Sequence, residues 1–448
     1  MQLKKPIGAS LAAATCGLLG ALPAAPAAAQ EVGDWDIDSS LLLYGEDNDR
    51  VKDVSLDIAI HRALDEDRSF NLNFTVDSLT GATPNGAAPT NEPQTFTGAS
   101  SGKSYTVPAG EVPLDPSFLD TRIAGSANWQ QGFGEASRWN VGLTFSDEYD
   151  YSHIGANARL EHDFNLKNTT VYLGVAYGQD EINPVGGAPV PLTPLPGPSD
   201  TPGGEGEGEG EDDGGGGGPS QSKDVTDLLV GVTQILSRRS LLELSFSYGR
   251  SSGYLNDPYK ILSVVDPVTG LPAYTDQFPG ALGIRSFLYL YENRPDSRSK
   301  QSAFAEWRYA FDRDSMAVNF RYMTDDWGVR SETAEARYRW NINDRSYLEP
   351  NLRYYTQTAA DFYHTVLFID RPVPQFASAD YRLADLDAYT VGFKYGHLTD
   401  RGEFSVRLEY YKQEGTPSPG SAVGELANHE LILPMQAVIA QFGYRFKF

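Results

Sequence analysis

The last eleven residues, Val438 to Phe448 (VIAQFGYRFKF), restrict the fold more than any other stretch of the chain. Counting back in steps of two from the C-terminus gives Phe448, Phe446, Tyr444, Phe442, Ala440 and Val438, all apolar or aromatic. Between them stand Lys447, Arg445, Gly443 and Gln441. Side chains alternate faces along a strand, so a period of two gives one aromatic face and one polar face. A helix would mix the two sets. Either the strand edges a soluble sheet, or it stands with lipid on one side and water on the other, and the rest of the chain decides between them.

The opposite end reads as an export signal. Lys4 and Lys5 precede a small-residue apolar run from Ile7 to Leu22, and Ala27-Ala28-Ala29 offers a small-residue cleavage site before Gln30. Residues 1–29 are therefore expected to be removed, leaving 30–448. Cys16, the one cysteine, lies inside the signal, and the Ala-Ala-Thr before it fits a lipoprotein signal poorly. The remainder would hold neither a disulfide nor a catalytic thiol.

Beyond the signal no uncharged apolar run approaches the ~18 residues that a spanning helix needs. Mean hydropathy is −0.39, yet the chain carries 25 Tyr, 21 Phe and 6 Trp. Barrel strands reconcile these facts, because only alternate residues meet lipid and aromatic girdles line both interfaces. A formal net charge of −24 excludes electrostatic attraction to nucleic acid. The carboxylates fall heavily in loops, where divalent cations at a lipopolysaccharide surface would bridge them.

Sixteen alternating segments recur, at about 34–45, 51–62, 69–78, 119–130, 138–149, 152–164, 169–180, 224–236, 240–251, 301–311, 315–325, 331–343, 346–357, 386–397, 402–413 and 435–448. Their lengths suit tilted membrane strands of about 9–11 residues. The five longest connections, 79–118, 181–223, 252–300, 358–385 and 414–434, are the third, seventh, ninth, thirteenth and fifteenth. All are odd, as required when both termini sit on the short-turn side. The predicted fold is an all-β, transmembrane, antiparallel up-and-down barrel of about 16 strands, or 14 if a pair merges. Short turns would face the periplasm and long loops the exterior of a Gram-negative cell. The terminal strand resembles the closing strand of such barrels. By that resemblance Phe442, Tyr444, Phe446 and Phe448 form the signal read by the barrel-assembly machinery.

Residues 184–222, with PVPLTPLPGPSD and GGEGEGEGEDDGGGGG, lack the apolar content for a packed core and are expected to be a disordered loop. None of the six histidines belongs to a metal or HExxH arrangement, so no metal or cofactor is expected. Ser152-His153 and Asp361-Phe362-Tyr363-His364 come nearest to barrel lipases and proteases without matching either, and no enzyme activity is expected. A Ser or Asp within hydrogen-bond reach of His153 or His364 would reopen that question.

Parity along the strands turns several charges inward. Arg308, Arg321, Arg337, Arg339, Arg353, Lys394, Arg407, Arg445 and Lys447 share one wall with Glu306, Glu335, Glu349 and Glu409. Asp36, Asp38, Asp53, Asp57 and Asp77 belong to the opposite wall. Facing walls of opposite sign would set a transverse field across a pore. Alternatively the charges pair with neighbours in a plugged lumen.

Several loop-proximal strings remain: LTGATPNGA (79–87), GYLNDPYK (253–260), RPDSR (294–298), DDWG (325–328) and RYYTQTAADFY (353–363). Asp325, Asp326 and Trp327 mark a tight external turn. Arg294 and Arg298 either clamp an anion bidentately or pin their loop to Asp296 or the rim. On these strings the chain resembles a family of bacterial outer-membrane proteins classed as a domain of unknown function, over most of its length. The resemblance implies a barrel and supplies no substrate. It leaves open a role beside periplasmic flavin-transfer or redox lipoproteins, and the glycine-glutamate insertion at 203–218 departs from the common pattern. The functional expectation is a porin-like channel for small polar solutes. A closed scaffold for a periplasmic or surface complex, or a surface enzyme or adhesin, is the alternative. Solute, oligomeric state (a homotrimer included) and any periplasmic partner stay undetermined.

Overall fold

The computed structural model describes residues 33–48, 50–98, 104–184, 187–195, 220–277, 286–416 and 422–448, without the side chains of 117 and 118. The expected signal peptide and residues 196–219 of the low-complexity loop lie outside them. In chain order the strands are β1 (Trp35–Glu46), β2 (Lys52–Ala63), β3 (Arg68–Pro84), β4 (Gln94–Thr97), β5 (Ser104–Val107), β6 (Leu114–Phe133) and β7 (Ser137–Asp147). There follow β8 (Tyr151–Phe164), β9 (Thr169–Ile182), β10 (Gln221–Ser237), β11 (Ser240–Gly253), β12 (Ile261–Val265), β13 (Tyr289–Tyr291) and β14 (Ser297–Ala310). The last seven are β15 (Ser315–Asp325), β16 (Arg330–Asn341), β17 (Ser346–Gln357), β18 (Leu367–Phe368), β19 (Leu386–Thr399), β20 (Gly402–Gly415) and β21 (Met435–Lys447).

Sixteen of these close into one antiparallel barrel, each paired with the next, and β1 meets β21 with Asp36 opposite Lys447 and Tyr44 opposite Ile439. Closure leaves no open edge. The seam continues to the last residue, where Trp35 and Phe448 exchange backbone hydrogen bonds of 2.8 and 3.1 Å. The expected alternation holds: Leu143, Ile154, Leu173 and Val438 are exposed on the outer face. Tyr444, Phe446 and Phe448 stack in a row with centroids 5.7 and 5.9 Å apart. Trp307, Tyr309, Phe311 and Tyr338 continue an aromatic band at the same end. These rings sit where a girdle is required.

The connections alternate as expected. Tight turns close one end, for example at Asn343, whose side chain accepts from the backbone N–H groups of Arg345 and Ser346 at 2.9 Å each. All long connections emerge at the other, loop end, and there they pack together. β12 pairs antiparallel with β13 and parallel with β18, drawing residues 261–265, 289–291 and 367–368 into one small sheet. Its core joins Leu262, Val264, Leu288 and Leu290 to Leu367 and Ala377. A second cluster holds Ala88, Val265, Val366 and Leu426, one residue from each of four loops. The β4–β5 hairpin adds Phe96 and Val107 against Ile261 and Tyr289. The loops are therefore a cap with its own core.

Part of the segment read as disordered belongs to this cap. Leu192 donates its N–H to Tyr291 at 3.1 Å, Leu195 donates to Tyr289 at 2.9 Å, and Gln221 and Ser222 already lie in β10. Its apolar residues Leu192 and Leu195 pack on the cap clusters, a gain invisible when the segment is read alone.

Candidate functional site

Where the cap meets the barrel, the lumen is filled. Inward side chains near the loop end are buried on most strands, among them Tyr44, Asp53, Asp77, Asp180, Val225 and Ala437. Asp53, expected to face the lumen, is 1 % exposed, and its carboxylate accepts from the Ser55 hydroxyl at 2.9 Å. Asp57 faces inward and accepts from Thr75 at 2.6 Å.

A buried ionic seam ties the cap loops to one another. Arg294 Nε lies 2.7 Å from Glu292 and its terminal nitrogen 2.9 Å from Asp380. Arg382 reaches Asp380 at 2.8 Å and Asp257 at 2.8 Å, and Ser378 donates to Glu292 at 2.5 Å. Burial pushes the Glu292 carboxyl above its ordinary range, against the Arg294 charge. Burial also acts on Asp380, but the Arg382 and Arg294 guanidiniums outweigh it and hold that carboxyl well below the ordinary range. Arg294 is thus an internal strut pairing with Asp380, not a rim clamp and not a partner of Asp296.

Arg298 is held at the barrel rim. It lies within β14, pairs with Asp325 across the ladder, and stacks on the Trp327 ring at 4.4 Å. The Trp327 indole N–H donates to the Ser297 carbonyl at 2.8 Å, and its ring meets Phe362 edge-on at 5.0 Å. Asp326 accepts from the Ser299 N–H at 2.9 Å. Gly328 has φ 85° and lies against Asp361, so a side chain there would be strained and would strike that carboxylate. RPDSR, DDWG and the ADFY end of RYYTQTAADFY therefore meet as one packing knot. LTGATPNGA runs under the cap, where Lys260 donates to the Pro84 carbonyl.

At the loop end of β8, His153 Nδ1 lies 2.6 Å from Asp180, and its Nε2 lies 3.2 Å from the Thr144 hydroxyl. An aspartate does reach His153. That carboxylate is also bridged by Lys223 at 2.6 Å, and all four side chains are buried. Enclosure and the lysine suit a structural post. His364 sits in the cap, where burial lowers its pKa.

The inner lumen divides into two walls. On β7–β10 the inward side chains are mostly buried, and Glu243 of β11 with them: Arg159 lies over the Tyr172 ring at 4.0 Å, and Tyr172 donates to Glu243 at 2.8 Å. On β14–β21 and β1 most inward charges are half-buried or exposed, with Asp36 and Glu306 buried among them. Arg308 pairs with Glu306, and Arg337 lies 3.4 Å from Glu306 and 3.2 Å from Glu335. Arg407 lies 3.1 Å from Glu409, and Arg445 donates to Asp36 at 2.9 Å. Arg339 stacks on Tyr347 at 3.5 Å, with Lys394 on the same ring at 6.0 Å. Tyr347 lies flat because its strand neighbour is Gly396, whose missing side chain leaves room for the ring. Arg321 and Arg353 project into the lumen. The sequence reading missed Asp257, Asp380, Arg382, Asp180 and Lys223. Inward parity marks the last two, but no local signal marks the cap carboxylates.

A closed sixteen-strand barrel, aromatic outside and charged within, defines an outer-membrane-type β-barrel. Residues 8–446 match the family model described as Protein of unknown function (DUF3570), and the chain belongs to that family. Comparison with the curated proteins returned no match. Among solved structures, similarity extends to the OprB barrel of Pseudomonas putida, with TM-score 0.39 and 13% identity over 93% of each chain. It extends to OpdK of Pseudomonas aeruginosa, with TM-score 0.38 and 8% identity over 93% of this chain and 99% of that one. A ferric enterobactin receptor (PfeA) mutant from Pseudomonas aeruginosa is similar at TM-score 0.40 and 10% identity, over 91% of this chain and 59% of the receptor. The chain thus spans little more than half the length of that receptor.

Proposed function

We propose that the protein is an outer-membrane barrel of a Gram-negative cell, stoppered at the outer surface by its own loops and open to the periplasm. Its lumen then serves as a vestibule for a periplasmic solute or partner, and the barrel acts as a closed scaffold instead of a free pore. The observation carrying this reading is the band of buried inward side chains beneath the cap, from Tyr44 and Asp53 round to Ala437. The aromatic terminal strand serves as the assembly signal, and no catalytic step is assigned. A second reading, a porin-like conduit gated by cap movement, draws on the exposed or half-buried Arg321, Arg353 and Lys394, charges that a mere plug does not need.

Conductance of the refolded barrel in a planar bilayer tests the choice. The closed reading expects no steady steps from the whole chain, and steps once residues 256–293 are replaced by a short Gly-Ser linker. Steady steps from the unaltered barrel would overturn it.

A further inference from the structure

We propose that the lumenal wall formed by β15, β16, β17, β19 and β20 binds a small, multiply charged oxyanion arriving from the periplasmic side. The proposal rests on the open inner half of the reading above and does not require the cap to be shut.

The wall turns six cations inward, Arg321, Arg337, Arg339, Arg353, Lys394 and Arg407, against four carboxylates, Glu335, Glu349, Glu403 and Glu409. Four carboxylates do not neutralise six cations, and Glu403 accepts from the Tyr347 hydroxyl. Glu335 is engaged by Arg337 at 3.2 Å and Glu409 by Arg407 at 3.1 Å. Glu349 stands opposite Lys394, yet no ion pair joins them among the described residues. Arg353 makes no ion pair among the described residues, although Glu335 is its cross-strand neighbour. The Arg339 guanidinium faces a tyrosine ring.

The arrangement also carries a cost. Lys394 stands directly opposite Arg407 on the ladder. Like charges at opposed positions of an antiparallel pair repel and destabilise it. A wall needed only for structure gains nothing from that juxtaposition, whereas a bound anion turns it into a contact. Local rules broken without a local gain concentrate at working sites. Guanidinium groups hold carboxylate and phosphate oxygens in bidentate fashion, and desolvation is cheaper for them than for ammonium groups. A ligand with two or more anionic groups would bridge Arg353 and Lys394, with Arg321 on the loop-end side.

The test is titration calorimetry of the folded barrel in a non-ionic detergent at low salt, with sodium pyrophosphate and sodium citrate as separate probes. Heat-modifiable migration checks that each variant is folded. Saturable binding of at least one probe is expected, weakened tenfold or more in the double variant Arg321→Gln/Arg353→Gln. Arg345→Gln, at an exposed turn, is expected to leave binding unchanged. Lys394→Gln separates ligand binding from structure: relief of repulsion should leave folding equal or better, while binding falls severalfold. Pyrophosphate alone would assign a phosphate ligand, and citrate alone a polycarboxylate. No binding of either probe, or equal binding by the double variant, would overturn the proposal. Steady conductance with anion binding intact would remove only the closed reading.

Discussion

The two ends of the lumen are built differently although the same strands form both. At the loop end, charges are buried and the cap seam holds its own in fixed pairs: Arg294 with Glu292 and Asp380, and beneath it Lys223 with Asp180. At the turn end of β14–β20 most are half-exposed, and several, such as Arg339 and Lys394, face an aromatic ring and the lumen. Buried charge tolerates no missing partner, whereas charge in a wet lumen is screened and free to accept a ligand. The contrast separates a seal from a vestibule.

Breaking the seal should give the largest effect. Arg294→Leu leaves Glu292 and Asp380 buried beside fewer cations, a loss on the order of 3–5 kcal/mol for an unpaired buried charge. Protease cutting and fast hydrogen exchange across residues 254–296 would report it, with the barrel still heat-modifiable. Slightly smaller is Leu290→Ala in the cap core, where cavity formation costs roughly 2–5 kcal/mol and the same loops loosen.

The third test uses pH. Glu148, in the external β7–β8 turn, is pushed up to about 9 by burial and by the neighbouring Asp120 charge. A carboxyl raised in the folded state favours folding fully below its ordinary 4.5, and that contribution drains away as pH climbs to about 9. Amide exchange at residues 148–152 should therefore show protection falling as pH rises beyond the intrinsic rate change. Glu148→Gln should flatten the fall, and an unchanged slope would contradict the assignment. The smallest effect belongs to the turn end. Arg345→Gln removes an exposed pair with Asp400 and should cost less than about 1 kcal/mol in barrel unfolding by urea.

The same contrast governs what the sequence discloses. Strands are legible because one residue in two meets lipid, and β15 and β17 begin and end where the alternation does. Inward charges such as Arg337 and Arg407 follow by parity. The cap is illegible because its contacts join residues far apart: Ala88, Val265, Val366 and Leu426 carry no shared local period. For the same reason Arg294 looked available to a ligand, since its partner Asp380 lies 86 positions away. Leu192 is a parallel case, an apolar side chain inside a Pro-rich stretch whose docking becomes visible only beside Tyr291.

Access to the lumen from each side tests the central claim most directly. Arg321→Cys places a thiol on the open wall, and a membrane-impermeant maleimide is offered to intact cells and then to cells with opened outer membranes. The account predicts labelling only after the periplasmic side is exposed. Rapid labelling in intact cells would show that the outer end is not sealed, and the capped vestibule would have to be abandoned.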